Sequence, residues 1–394
     1  MVDATGREAV YLDHAATTPL RPEARAALLA ELDLVGNPSS QHSAGRRARR
    51  VVEESRESIA IALGVRAGDV VFTSGGTEAD NLAVLGLYRA RRSEDPRRTR
   101  VIASAVEHHA VLDPVDWLGE HEGAEISWLP VDDVGRVDLA WLKAELDEHA
   151  DEVALVTVMW ANNEIGTVQP VAEVATLCAD RGIPFHSDAV QAVGSLEVDA
   201  SVVDSLALSG HKFGAPVGVG ALVLRRGLSP VPLVHGGGQE REIRSGTVDA
   251  AGIASLAAAL TASMADFDVR TARIARLRDD LVAHVLATVD GVSRNGDPSC
   301  SLPGIAHLSF EGCEGDSLLL LLDAAGVECS RGSACSAGVP QPSHVMLALG
   351  VEPVAARGSL RLSLGWSSTD DDVARLVEAL PAVVARARRA GVGR

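Results

Sequence analysis

Between about residue 50 and residue 230, this 394-residue chain alternates short apolar runs with stretches of helical period. The runs fall at 70–73, 100–104, 125–129, 153–159, 184–186, 205–208 and 220–224, and helical stretches such as 78–92 and 171–181 lie between most of them. Strands that alternate with helices build a mainly parallel sheet covered by helices on both faces. The spacing therefore predicts an α/β fold around a seven-stranded sheet. In such sheets ligands bind beyond the carboxyl ends of the strands. The chemistry of this chain should thus be written in the polar residues that follow the apolar runs.

After about residue 262 the pattern changes. A long helix is predicted over 266–290, with Ile274, Leu277, Leu281 and Val285 along one face. Further strands are expected at 305–310, 327–330 and 359–363. A last helix begins near Thr369, where Thr-Asp-Asp-Asp supplies a cap and an acidic first turn. Val373, Leu376, Val377 and Leu380 form its apolar stripe. We therefore expect two units: a larger domain over 15–261, and a smaller α/β domain made of 1–14 and 262–394. A hydrophobic content of 46% over this length allows both a core, and with only 3% aromatics Ala, Val and Leu must do the packing.

Two polar motifs carry the strongest chemical signal. His186-Ser187-Asp188-Ala189-Val190-Gln191 follows one apolar run, and Ser209-Gly210-His211-Lys212 follows the next. An acid at one strand end and a lysine at the neighbouring one is what a pyridoxal phosphate (PLP) site requires. The lysine forms the Schiff base, and the aspartate keeps the pyridine nitrogen protonated so that the ring serves as an electron sink. Gln191 is placed to donate to the phenolate oxygen of the ring. Upstream, the turn Thr73-Ser74-Gly75-Gly76-Thr77 joins a strand to a helix start, and its backbone N–H groups make an anion site suited to a phosphate. Such turns occur in many folds, and this one is neither a Walker A loop nor a dinucleotide fingerprint. Beside Asp188 and Lys212 it gains weight, with Ser209 and His211 as further phosphate donors. Glu107-His108-His109 follows the run at 100–104, so His108 is placed to stack on the ring. The plainer reading of either histidine is a hydrogen-bonded residue at a strand end.

Composition removes several other functions. With 36 basic and 54 acidic residues the net charge is −18, which opposes direct nucleic-acid binding. The clusters Arg46-Arg47, Arg49-Arg50 and Arg97-Arg98 read as a solvated helix face or loop, with docking of an acidic protein as the second reading. No apolar run approaches the roughly 18 residues of a membrane span, and residues 1–10 show no apolar signal segment. Five cysteines without C-x-x-C spacing favour reduced thiols. No metal site is expected. These features predict a cytoplasmic protein that does not meet membranes. Cys178 reads as a core residue.

The chain resembles the cysteine desulfurases of the class V aminotransferase group, the iron–sulfur-cluster-assembly type. The resemblance runs over almost the whole length. It begins with Tyr11-Leu12-Asp13-His14-Ala15-Ala16-Thr17-Thr18-Pro19, Gly36-Asn37-Pro38-Ser39-Ser40 and the turn from Thr73 to Asn81. It continues through Asn162-Asn163-Glu164-Ile165-Gly166, the Asp188 and Lys212 motifs, Gly236-Gly237-Gly238-Gln239-Glu240 and Arg244-Ser245-Gly246-Thr247. Gly332-Ser333-Ala334-Cys335 and Arg361-Leu362-Ser363-Leu364-Gly365 complete it. The resemblance implies the PLP-dependent transferase fold of type I, a homodimer, L-cysteine as substrate and a sulfur-acceptor protein such as an iron–sulfur scaffold as partner. It also implies roles. Lys212 holds PLP, Asp188 pairs with the pyridine nitrogen, Gln191 with the phenolate oxygen, and His108 stacks on the ring and shuttles a proton. Gly76, Thr77, Ser209 and His211 contact the phosphate, and Thr247 does so from the other subunit. Asn163 and Arg361 hold the substrate carboxylate, with Asn37 assisting.

Cys335 decides the reaction. A PLP enzyme without a thiol can transaminate, racemise or eliminate, but it cannot take sulfur from cysteine as a persulfide. Cys335 lies in the small-residue run Gly332-Ser333-Ala334-Cys335-Ser336-Ala337-Gly338, which suits a nucleophile that must reach the substrate and then deliver sulfur. Its polar neighbours disfavour a buried structural thiol, whereas Cys329 reads as packed beside it. Relatives usually carry a small residue where this chain has Arg331, a cation that either favours the thiolate or pairs with an acid elsewhere. The expected product is L-alanine, with sulfur destined for iron–sulfur cluster assembly, or for tRNA or DNA thiolation. The alternatives are a selenocysteine lyase, another class V aminotransferase, or a catalytically idle interaction platform. Intact Lys212, Asp188 and Cys335 speak against the last.

Overall fold

The computed structural model describes residues 9–332 and 342–391. Its strands are β1 (Val10–Tyr11), β2 (Val70–Thr73), β3 (Arg100–Ser104), β4 (Glu125–Leu129), β5 (Val153–Thr157), β6 (Phe185–Asp188), β7 (Ser205–Ser209), β8 (Gly220–Leu224), β9 (Val292–Asn295), β10 (Ile305–Phe310), β11 (Val327–Glu328) and β12 (Ser359–Ser363). The helices are α1 (Pro22–Leu32), α2 (Ser43–Ala62), α3 (Gly76–Glu94), α4 (His109–Glu122), α5 (Leu139–His149), α6 (Val171–Ala179), α7 (Ala250–Ala265), α8 (Phe267–Thr288), α9 (Gly315–Ala324), α10 (His344–Ala348), α11 (Pro353–Ala356) and α12 (Asp370–Gly391).

The central sheet has seven strands in the order β2-β8-β7-β6-β5-β3-β4. Only β8 is reversed: it pairs antiparallel with both β2 and β7, and every other pairing is parallel. Strands in the middle of the sheet are buried along their whole length, which is why β5, β7 and β8 read as apolar runs without alternation. Side chains still divide by period two. Val70 and Phe72 pack with α2, α6 and α7 on one face, and Val71 packs with α3 and α4 on the other. At the edge, β4 exposes Glu125 and Trp128 while burying Ser127 and Leu129.

Local chemistry sets the helix boundaries. Pro22 opens α1, where its missing N–H costs nothing. The Asp138 side chain accepts from the N–H groups of Ala140 and Trp141 at the start of α5. Gly123, at φ 66°, ends α4 in the left-handed conformation. The arginines of the first turns of α2 face outward: Arg47 pairs with Glu31, Arg50 with Glu54, and Arg49 reaches the Pro38 carbonyl.

A second apolar cluster joins Val10 and Leu12 to α8, β10, α9, β12 and α12. Here β10 lies between β12 and β9 in an antiparallel three-stranded sheet, and β1 pairs parallel with β11. The short strands β1 and β9 were not expected from the sequence; two and four residues are too few to show a period. The strands predicted at 153–159 and 327–330 end at Thr157 and Glu328, although backbone hydrogen bonds continue from the Val158 N–H to the His186 carbonyl and between Ser330 and Arg361. The helix α7 continues through Ala262 to Ala265 and meets α8 at an angle of 76°.

Candidate active site

Because β8 alone is reversed, the carboxyl ends of β2, β3, β5, β6 and β7 share one edge of the sheet. The loops leaving them line a cleft of about 400 Å³. Gly76 and Thr77 come from the turn after β2, and His108 and His109 from the loop after β3. Met159, Asn163 and Glu164 follow β5, Asp188 and Gln191 end β6, and Ser209, His211 and Lys212 follow β7. The smaller unit contributes Ser330, Gly332, His344 and Arg361, and the N-terminal segment adds Ala15 and Ala16. Ten of the residues singled out from the sequence thus meet in one cavity. Asn37 does not line it; its side chain instead accepts from the Ser39 N–H in the turn between α1 and α2. Thr247 is exposed and outside the lining, and Cys335 lies outside the described residues.

Lys212 Nζ donates to the carbonyl oxygens of Ala15 at 2.7 Å and Ala16 at 2.9 Å. Burial, assisted by Arg361, lowers its pKa to about 8, with Asp188 and Asp13 resisting the change. The same Ala15 carbonyl accepts from Gln191 Nε2 at 2.8 Å, so this amide is held beside the lysine. His108 caps α4: its Nδ1 accepts from the Ala110 N–H at 3.1 Å, which leaves the proton on Nε2. Desolvation by the cleft walls lowers its pKa, Asp188 opposes this, and Lys212 adds to it.

The inner wall is acidic. Asp188 accepts from the Val190 N–H at 2.8 Å. Burial raises its pKa, against the pull of His108, the Val190 N–H and Lys212. Two more buried carboxyls stand near it. Burial, and then Asp188, push both Asp80 and Glu107 well above the usual carboxylate range. Glu107 Oε1 accepts from the Met159 N–H at 2.6 Å, while its Oε2 is buried without a partner among the described residues. The neutral ring of His186, whose pKa burial lowers to about 3, sits 3.2 Å from Asp80 Oδ1. A wall of carboxyls deprived of water fits a cationic group, and a protonated pyridine nitrogen is one.

The turn after β2 fits the phosphate. Gly75 has φ 150°, and a Cβ on Gly76 would stand 2.6 Å from Val190 Cγ2 and 3.4 Å from Ser209 Cβ. Only glycine lets the start of α3 come this close to β6 and β7. The first N–H groups of this 19-residue helix have no partner inside it and carry its positive end. The chain's own residues therefore fit PLP at the ring nitrogen, the phosphate and the lysine.

Several lining residues had no role in the sequence reading. Glu164 is buried, with its pKa raised by burial, and accepts from Ser343 Oγ at 2.5 Å. His344 Nε2 donates to the Glu107 carbonyl at 2.9 Å. No spacing in the sequence brings 343–344 beside 107 and 164. Arg331 pairs with Asp316 on α9 at 3.1 Å, one of the two fates foreseen for it. Cys329 is half-buried against the smaller core, and burial, then Asp13, push its thiol up to about 12, so it remains protonated. Cys178 is a buried core residue with a thiol likewise raised to about 12 by burial.

Comparison with known proteins adds an independent line. Residues 10–376 match the aminotransferase class-V family. An IscS-like cysteine desulfurase of Mycobacterium tuberculosis is 55% identical over 97% of this chain and 98% of its own length. The cysteine desulfurase NifS of Azotobacter vinelandii is 43% identical over 96% of this chain and 93% of its own. Among solved structures, a NifS-like protein superposes with a TM-score of 0.88 at 32% identity, covering 96% of this chain and all of that one.

Proposed function

This chain belongs to the aminotransferase class-V family and is a PLP-dependent cysteine desulfurase, and from that premise we propose how its residues divide the work. Bound PLP supplies an electron sink for the charge left at the α-carbon of L-cysteine. Lys212 would anchor the cofactor, and its amine, made partly neutral at physiological pH by burial, would move the α-proton of the substrate. Asp188 would keep the ring nitrogen protonated, Gln191 would donate to the phenolate oxygen, and His108 would stack on the ring and shuttle a proton. Gly76, Thr77, Ser209 and His211 bind the phosphate.

Arg361 and Asn163 grip the substrate carboxylate. The Cys335 thiolate attacks the substrate sulfur. The Cβ–S bond breaks, the sulfur remains on Cys335 as a persulfide, Cβ gains a proton, and L-alanine leaves. Thr247 completes the phosphate site of a second subunit, which makes the working unit a homodimer. Its larger domain spans 15–261, and 1–14 with 262–394 form the smaller one. The acceptor is a scaffold protein of iron–sulfur cluster assembly, met in the reducing cytoplasm, where the free cysteines of the described residues remain thiols.

The observation that carries this reading is the convergence of Lys212, Asp188 and Arg361 on one cleft. The test is to supply the holoenzyme with L-cysteine and a reductant, with no keto acid, and to measure alanine and sulfide. Equal yields are expected. Cys335→Ala should keep the visible absorbance of lysine-bound PLP and release no sulfide; full sulfide release by that variant would remove the thiol assignment. Alanine formed only when a keto acid is added would indicate transamination instead.

A further inference from the structure

Arg361 already has partners before any substrate arrives. It is 4% exposed in β12 and lines the cleft. Its Nη1 donates to the Asn163 carbonyl at 2.9 Å, and its Nη2 donates to Asp13 Oδ1 at 2.8 Å. Its Nε is buried without a partner among the described residues. A guanidinium offers five N–H donors in a planar fork, so two fixed contacts determine the plane in which the remaining donors lie.

Asp13 stands behind Arg361 and does not line the cleft. Its backbone is held firmly: it bridges to Ser363 in β12, and its carbonyl accepts from the N–H groups of Ala16 at 3.0 Å and Thr17 at 3.3 Å and from the Tyr11 hydroxyl at 3.2 Å. The turn that follows presents the Ala15 and Ala16 carbonyls to Lys212. Three residues of one four-residue turn, Asp13, Ala15 and Ala16, thus hold Arg361 and Lys212, the first through its side chain and the other two through backbone oxygens.

We propose that Asp13 is a positioning residue that orients Arg361 for the substrate carboxylate, so that the 13–16 turn sets the spacing between the carboxylate grip and the lysine amine. The inference rests on the reading of Arg361 as that grip. Asp13 also balances the positive charge of Arg361 where water is scarce, a position in which an unpaired guanidinium would be costly.

The test uses the full-length holoenzyme and two ligands read by their change in visible absorbance: L-alanine, which has a carboxylate, and propylamine, which has none. A hydrogen bond between charged groups is worth about 1.5–3 kcal/mol, roughly a ten- to hundredfold change in affinity. Asp13→Asn should weaken L-alanine binding by about that factor and raise the KM for L-cysteine more than it lowers kcat. Propylamine binding should stay within about twofold, Asp13→Glu should recover part of the loss, and Asp13→Asn should add nothing in an Arg361→Ala background. Unchanged L-alanine binding in Asp13→Asn, or equal loss of both ligands, overturns the proposal. A wild-type chain indifferent to both ligands would sink the desulfurase reading itself, and this inference with it.

Discussion

Arg56 meets Glu240 through two hydrogen bonds, Nη1 to Oε2 at 2.8 Å and Nη2 to Oε1 at 2.9 Å, although 184 residues separate them. Glu240 Oε2 also accepts from the Phe72 N–H at 2.9 Å, and the guanidinium lies 4.5 Å over the Phe72 ring. Burial opposes the charge on Arg56; Glu240, and then Glu53, more than offset it. The pair fastens the segment that ends at Thr247 to β2 and α2. Next in that segment, Arg241 and Glu242 have φ of 53° and 61°, a left-handed pair that a free loop would avoid. A second contact, Arg244 Nε to Glu78 Oε1 at 2.8 Å, ties the segment to the phosphate turn.

Removing one partner of a buried pair strands the other. Glu240→Ala should therefore destabilise the apoprotein by about 3–5 kcal/mol. The check is the urea midpoint with an unchanged slope. A loss below about 1 kcal/mol would mean that water reaches Arg56.

Gly76→Ala places a methyl 2.6 Å from Val190 Cγ2, and a β-branched valine has little freedom to yield. The start of α3 should move away from β6, and PLP affinity should fall by about tenfold or more, equivalent to 1.4 kcal/mol or more. Equilibrium titration of the apoprotein with PLP measures it. Retained affinity would show that the phosphate does not use this turn.

Lys212 should capture PLP as its neutral amine. Its folded pKa of about 8 lies below the ordinary 10.5, so the capture rate should climb with pH and level off above about 8. A rate that still rises to pH 10 contradicts the burial argument. The same shift affects stability. Between about 8 and 10.5 the unfolded state holds the proton that the folded state has lost, so this residue's unfavourable contribution shrinks as pH rises through that window. Apo Lys212→Met should lack that part of the slope.

His307 is fully buried, and burial, with Arg361, lowers its pKa to about 4. Its folded pKa lies below the unfolded value of 6.5, so the unfolded chain takes up the proton first as pH falls. Stability from this group is complete above 6.5 and declines from there to about 4. The wild type should therefore lose more stability than His307→Asn between pH 7 and pH 5 in paired urea titrations. Parallel curves would show that the ring reaches water.

Cys329 should be a poor nucleophile. With its thiol held near 12 it should alkylate slowly, and Cys329→Ala should keep most of the sulfide release. Loss of activity in that variant with normal PLP content would shift the search for the sulfur carrier toward it.

The order of elements in the larger unit could be read from the chain, because buried parallel strands leave unbroken apolar runs and helices leave a 3.6-residue period. So could Asp188, Lys212 and the glycine turn, since each follows directly on such a run and its residue type has few other uses there. The two-residue strand β1 left no comparable trace, because its place depends on pairing with β11 more than 300 residues away. Distance along the chain also hid the acidic wall of Asp80 and Glu107, the contact of Ser343 with Glu164, and the hold of Asp13 on Arg361. The sequence by itself determined which cofactor chemistry this protein can perform, because that depends on residue type and local spacing. Which carboxyls lose their water, and which cation each backbone oxygen or carboxylate restrains, only the tertiary structure decided, because burial and contact arise from segments that meet only when the chain is folded.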